Sequence, residues 1–214
     1  IFEGFAGVSR TTVGGSIGEF FVVRTDGIFQ SEAEVQAHTT TLPNGTVKVI
    51  QPNAKPGDIR YRDIAGPDNG PPDGVIDEWD RQVAGSPIPE LEGGFTLDAG
   101  WRGFDLGLAL RGSFGAEVFN VARYWNERSD ENHNFRADYR PWTPQNPSNE
   151  NPRLVFGPEG AANARTNSDR WLEDGSYLRV QNLVLGYELP ERFAQTLRLP
   201  LQRARVYLNV QNLY

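Results

Sequence analysis

The 214 residues include no cysteine, no methionine and only two histidines, His38 and His133. Without thiols there are neither disulfides nor thiolate metal sites, and nothing marks the redox compartment. Two isolated histidines exclude a histidine-rich metal centre, and no H-E-x-x-H stretch occurs. With no methionine at position 1 and no signal peptide before Ile1, the chain reads as a piece of something longer. It has no run of about 18 apolar residues, which excludes a transmembrane helix. A membrane barrel is not excluded, because each of its strands carries a far weaker signal. Basic residues are outnumbered, 21 against 28 acidic, giving a net charge of −7. That balance argues against a nucleic-acid partner, since phosphates need a basic surface. Long helices are disfavoured too, because 23 glycines and 15 prolines punctuate nearly every segment.

What is present is organised around 87–120. Leu91, Gly93, Phe95, Leu97, Ala99 and Trp101 alternate with Glu92, Gly94, Thr96, Asp98 and Gly100. After Arg102-Gly103 the pattern restarts, with Phe104, Leu106, Leu108, Leu110, Gly112 and Phe114 against Asp105, Gly107, Ala109, Arg111, Ser113 and Gly115. Successive strand residues point to opposite faces, so this is a hairpin of two long strands, each apolar on one side only. Each run covers about ten residues, the length with which a tilted strand crosses a bilayer. Trp101 and Phe104 at one end, and Phe114 and Phe119 toward the other, stand where aromatic girdles meet the two interfaces. The hairpin alone fits a half-buried pair in a soluble β-sandwich equally well. On the membrane reading, Phe95, Leu97, Leu106, Leu108 and Leu110 face lipid, while Thr96, Asp98, Asp105 and Arg111 face a lumen.

Strands are also predicted near 1–12, 177–189 and 203–214, with a phase change near Asn182 that marks a bulge. The stretches 13–86 and 121–176 read as long loops. In the first, Gly14-Gly15-Ser16-Ile17-Gly18 matches the G-x-S-x-G nucleophile pattern, but a strand-like Glu19-Phe20-Phe21-Val22-Val23 follows instead of the required helix. A glycine turn accounts for it better. Ser31-Glu32-Ala33-Glu34 has the form of a capping box, with His38 expected in solvent near the end of a short helix. Asn44-Gly45 predicts a hairpin turn.

The acidic run 63–80 resembles the latter half of an EF-hand-type loop. Hard cations need several oxygens on a small sphere, and Asp73, the Val75 carbonyl, Asp77 and Asp80 fit the later positions, with Gly74 at the bend. Calcium is the expected ion, with Asp68 or Asp63 completing the sphere if Pro71-Pro72 is an insertion; the alternative is a solvated acidic turn. In 121–176 the aromatics Tyr124, Trp125 and Trp142 are candidate contacts for cargo or a lid, or else form the loop's own small core.

Short connections (Arg102-Gly103 and about 190–202) at one end and very long ones at the other are the layout of an outer-membrane barrel. Seven blocks carry a family resemblance. They are Ser16-Ile17-Gly18-Glu19-Phe20-Phe21, Arg24-Thr25-Asp26-Gly27-Ile28-Phe29-Gln30, Lys55-Pro56-Gly57-Asp58-Ile59-Arg60-Tyr61, Asp73-Gly74-Val75-Ile76-Asp77, Trp101-Arg102-Gly103-Phe104-Asp105-Leu106, 168–179 and 206–214. Together they resemble the C-terminal barrel region of SusC/RagA-type TonB-dependent transporters. The resemblance implies an all-β fold, an antiparallel meander forming part of a transmembrane β-barrel wall over 1–214 with long extracellular loops. It also implies a location in the bacterial outer membrane, import of oligosaccharides or peptides, coupling to TonB through an absent N-terminal region, and pairing with a SusD-like surface lipoprotein. The family's acidic loop usually runs uninterrupted, and 66–72 departs from it. Two other classes stay open: a soluble calcium-dependent carbohydrate-binding domain, and a glycoside hydrolase, for which no carboxylate pair stands out.

Overall fold

The computed structural model describes residues 2–4, 7–128, 130–131, 134–190, 192 and 203–213. His133 and most of the predicted 190–202 connection lie outside them. Among the described residues the architecture is mostly antiparallel β with short helices, none of them long and apolar enough to cross a membrane. The chain divides into two compact units, Ile88–Ala116 with Asp174–Tyr214, and Ile1–Pro87 with Glu117–Glu173.

The first unit is a four-stranded sheet. Strands β9 (Leu91–Trp101), β10 (Phe104–Phe114), β13 (Tyr177–Leu189) and β14 (Ala204–Leu213) lie in the order β14-β13-β10-β9. Trp101 pairs with Phe104 across Arg102 and Gly103, whose φ angles of 47° and 85° make the turn that matches strand twist. Arginine is a poor residue for positive φ, and its guanidinium lies 5.0 Å from the Trp101 ring, a contact that offsets part of the strain. The predicted bulge is present: Ala109 pairs with Asn182 but Leu110 with Val180, leaving Gln181 extra. That one residue keeps both Val180 and Leu183 on the apolar side, where strict alternation would have turned one of them away.

The second unit contains both predicted long loops, and they are folded together. In place of one strand over 1–12 there are two, β1 (Phe2–Glu3) and β2 (Ser9–Thr11), because Gly7 at φ 70° turns the chain back on itself. They continue through β3 (Glu19–Val23) to β8 (Arg81–Gly85). Smaller pairs are β4 (Thr25–Ile28) with β7 (Ile59–Tyr61), β5 (Thr39–Thr41) with β6 (Val47–Val49), and β11 (Glu117–Phe119) with β12 (Leu172–Asp174). The capping box is realised at α1 (Glu32–Ala37), where Ser31 Oγ accepts from Glu34 N, and Gly45 at φ 82° makes the β5–β6 turn. The second helix, α2, spans Val121–Glu127. Val23, Ile28, Ile59, Tyr61 and Trp142 form one apolar cluster, and Val8, Phe20 and Val22 another, with Phe119 and Leu172 packed on it. Segment 121–176 therefore supplies Trp142 and Leu172 to clusters begun by residues before 87, and Ile59 N donates to Asn163 Oδ1 at 2.9 Å across the two segments.

Candidate functional site

The feature with the clearest physical consequence is the two-faced sheet. Register places side chains in rows across its strands: Trp101–Phe104–Tyr187–Val206, Ala99–Leu106–Leu185–Leu208, Leu97–Leu108–Leu183–Val210 and Phe95–Leu110–Val180–Leu213. Directly paired residues share a face, so all four rows lie on one side. The intervening rows, Gly100–Asp105–Gly186–Tyr207, Asp98–Gly107–Val184–Asn209 and Thr96–Ala109–Asn182–Gln211, form a mostly polar side. On that side Asp105 and Arg205 form an ion pair over Gly186, where a Cβ would come within 2.6 Å of Arg205 Nη2. The apolar side is uncovered: Phe95 is 56% exposed, Trp101 68% and Leu208 59%. Four strands about 4.8 Å apart and about ten residues long make a face on the order of 600 Å², the upper end of what a soluble monomer shows.

The acidic loop holds itself by hydrogen bonds to its own backbone. Asp80 is fully buried, and its carboxylate accepts from Ile64 N at 2.8 Å, Ala65 N at 3.3 Å and Asp77 N at 2.8 Å. Those donors satisfy a carboxylate that would otherwise be buried without partners. Asp63 accepts from Gly74 N at 2.9 Å, Asp73 from Val75 N at 2.9 Å and Asp77 from Trp79 N at 2.8 Å. Burial raises the Asp63 pKa, and its Oδ1 is buried without a hydrogen bond. The Asp73 carbonyl takes Lys48 Nζ at 3.0 Å, Asp68 sits at φ 58° in the turn Pro67–Asn69, and Val75 is exposed. Among the described residues no three His, Cys, Asp or Glu side chains gather as cation ligands. The arrangement is thus that of a turn capped by its own carboxylates.

Of the three candidate aromatics, two are core. Tyr124 is buried against Trp171, with ring centroids 5.3 Å apart, and its hydroxyl bonds Thr166 Oγ1 at 2.7 Å. Trp142 is buried in the Val23–Tyr61 cluster, and its Nε1 donates to Gln30 Oε1 at 2.8 Å. Trp125 is 52% exposed, its ring edge-on to that of Tyr124 with centroids 5.1 Å apart. His38 is half-buried, contrary to the solvent position expected: its Nε2 donates to the Tyr61 carbonyl at 2.9 Å, and burial lowers its pKa. The Tyr61 hydroxyl, pushed up to about 12 by burial, donates to the Ala162 carbonyl.

One cluster carried no sequence signal. Glu127, buried at the end of α2, receives Arg123 Nε at 2.9 Å and lies 3.6 Å from both Arg136 and Arg170. Only the fold brings those residues to one carboxylate, since Arg170 is 43 positions beyond Glu127.

No family model matches the chain. Among curated proteins, it is 30% identical over 201 residues to TonB-dependent receptor P3 of Formosa agariphila, covering 94% of this chain and 18% of that protein. It is 31% identical over 188 residues to TonB-dependent receptor P26 of the same organism, covering 86% and 17%. The chain belongs with the TonB-dependent receptors, of which it matches one segment. It spans less than a fifth of the length of these relatives. Solved structures share the fold: the RagAB peptide transporter superposes with a TM-score of 0.59 at 23% identity, over 94% of this chain and 19% of that one. The RagAB peptide importer in its closed-closed state gives 0.59 at 20% identity, over 98% and 21%. Within this segment, the blocks that carried the resemblance have structural work. Gly57 N donates to the Phe29 carbonyl at 2.7 Å, Asp58 is gripped by Arg153 Nε at 2.6 Å and Nη2 at 3.0 Å, and Ser168 and Trp171 are wholly buried.

Proposed function

We propose that this chain supplies part of the β-barrel wall, and a folded extracellular unit, of an outer-membrane importer energised through TonB. The observation that carries this reading is the uncovered apolar face opposite a polar one. An 11-residue strand such as β10 is about 36 Å long, and at a tilt of about 45° it rises about 25 Å, the height of a barrel's apolar band. The polar rows then line the lumen. Its role on this reading is to bound a passage, and among the described residues of the wall no nucleophile or acid–base pair has supporting geometry. Cargo is an oligosaccharide or a peptide, the latter supported by the RagAB neighbours, and a SusD-like lipoprotein pairs with the extracellular side. Of the aromatic candidates, Trp125 is the one placed to touch cargo or lid.

The test is uptake of labelled oligosaccharides and peptides by cells carrying the full-length protein, with and without TonB. Import that depends on both supports the reading. Import undiminished when TonB is removed overturns it, as does hydrolysis of the glycan by the purified protein.

A further inference from the structure

The arginines of the four-stranded sheet are not all matched by carboxylates. Toward the short-turn end, Arg205 grips Asp105 and Arg203 stands 3.7 Å from Glu188. Toward the other end, the register sets Gly94, Arg111 and Arg179 in one row across β9, β10 and β13. That row is next to Phe95–Leu110–Val180 and so points to the polar side. Two residues directly opposite each other have Cβ atoms about 5 Å apart, and like charges so placed destabilise a sheet. Among the described residues neither arginine has an ion pair or a side-chain hydrogen bond. Arg111 is exposed, while Arg179 lies 5.4 Å from the Tyr177 ring with its Nε buried and unbonded.

Arg111 also lines a recess of about 370 Å³, together with Glu92, Gly94, Thr96, Ala109 and Gln181. Gln181 is the extra residue of the bulge, so its side chain has no direct cross-strand neighbour and lines this recess instead. The Thr96 hydroxyl and the Gln181 amide are hydrogen-bond donors on the same lining as the exposed guanidinium. Glu92 stands diagonally from Arg111, paired with Ser113, and makes no ion pair with it. Two arginines against one glutamate leave the patch positive. The volume suits one amino-acid residue or one sugar ring. We infer that this recess binds an anionic group of the cargo, held by Arg111 with the Thr96 hydroxyl and the Gln181 amide, in the positive potential that Arg179 adds from across the strand pair. An anion there also relieves the repulsion within the arginine row. Peptide carboxylates and uronic acids share this chemistry. The inference rests on the importer reading in taking the polar side for the lumen wall.

The test uses purified full-length protein titrated calorimetrically with trigalacturonate and with N-acetyl-Ala-Glu-Ala amide, against the fully methylated trigalacturonate ester and N-acetyl-Ala-Gln-Ala amide. At least one acid is expected to bind, with its neutral form roughly tenfold weaker; which acid binds identifies sugar or peptide. Arg111→Gln should lose roughly tenfold, and Arg179→Gln, whose charge acts from farther off, about threefold. The urea midpoint of each unliganded variant separates binding from bracing of the sheet. Removing one of two like charges should leave that midpoint unchanged or raise it. A lowered midpoint in Arg111→Gln, or its failure to fold, shows that a carboxylate elsewhere in the protein already holds Arg111, and overturns the proposal. So does failure of both acids to bind, equal binding of acid and neutral form, or full affinity in either variant. Binding is read without transport, so TonB-independent uptake with binding intact counts against the importer reading alone.

Discussion

Replacing Leu108 by arginine puts a charge in the middle of the apolar face. Leu108 sits between Leu97 and Leu183, in a row that ends at Val210. It is four residues from Phe104, hence about 10 Å below the aromatic end at about 3.4 Å per residue and about 45° tilt, close to the centre of a band about 25 Å tall. Arginine at that depth costs about 2–4 kcal/mol, roughly a 30- to 700-fold shift in the folding equilibrium. Its neighbour Ala109 points the other way, between Thr96 and Asn182, where Arg111 already lies on the same face. Ala109→Arg should cost less than about 1 kcal/mol, as a surface substitution does. Urea titration of the full-length protein refolded into lipid vesicles, followed by tryptophan fluorescence, measures both. Equal costs, or a larger cost at 109, would refute the assignment of faces and the membrane reading with it.

Gly57→Ala should destabilise the folded unit by about 2–4 kcal/mol, because its φ is 93° and a Cβ there overlaps the Trp142 ring and comes within 2.8 Å of Arg153 Cβ. Limited proteolysis would reveal the loss, and wild-type resistance would contradict the packing. Trp142→Ala should cost about 3–5 kcal/mol by emptying the core, whereas Trp125→Ala should leave stability within about 1 kcal/mol and, if Trp125 touches cargo or lid, reduce uptake. Asp80→Asn should loosen 63–80 by about 2–3 kcal/mol, since it sets an amide against backbone donors, while chelator leaves the wild-type loop equally protease-resistant. Chelator sensitivity would instead show that the loop holds a cation. His38, its pKa lowered by burial, binds its proton more readily unfolded than folded. Stability of this unit should therefore fall as pH drops below about 6.5, and His38→Gln should flatten that slope.

What the sequence by itself determined is whatever repeats locally. Alternation from Leu91 to Phe114, the two-residue turn, the capped helix at Ser31, the Asn44-Gly45 hairpin and the slip at Asn182 are all written within a few residues of where they act. A face of a strand is decided by period two, and no distant partner can change it without a bulge. The acidic loop shows the limit of such patterns. Spacing allowed a cation site, but whether Asp80 turns its carboxylate to an ion or to the amides of Ile64 and Asp77 depends on the path of the backbone around it. Only the tertiary structure decided that 13–86 and 121–176 are one folded body. Its joints are Asp58 with Arg153 and Gln30 with Trp142, and each joins residues far apart in sequence whose local surroundings are irregular. Such pairs form because a buried charge or indole N–H must find a partner, and the chain offers many candidates of equal local merit.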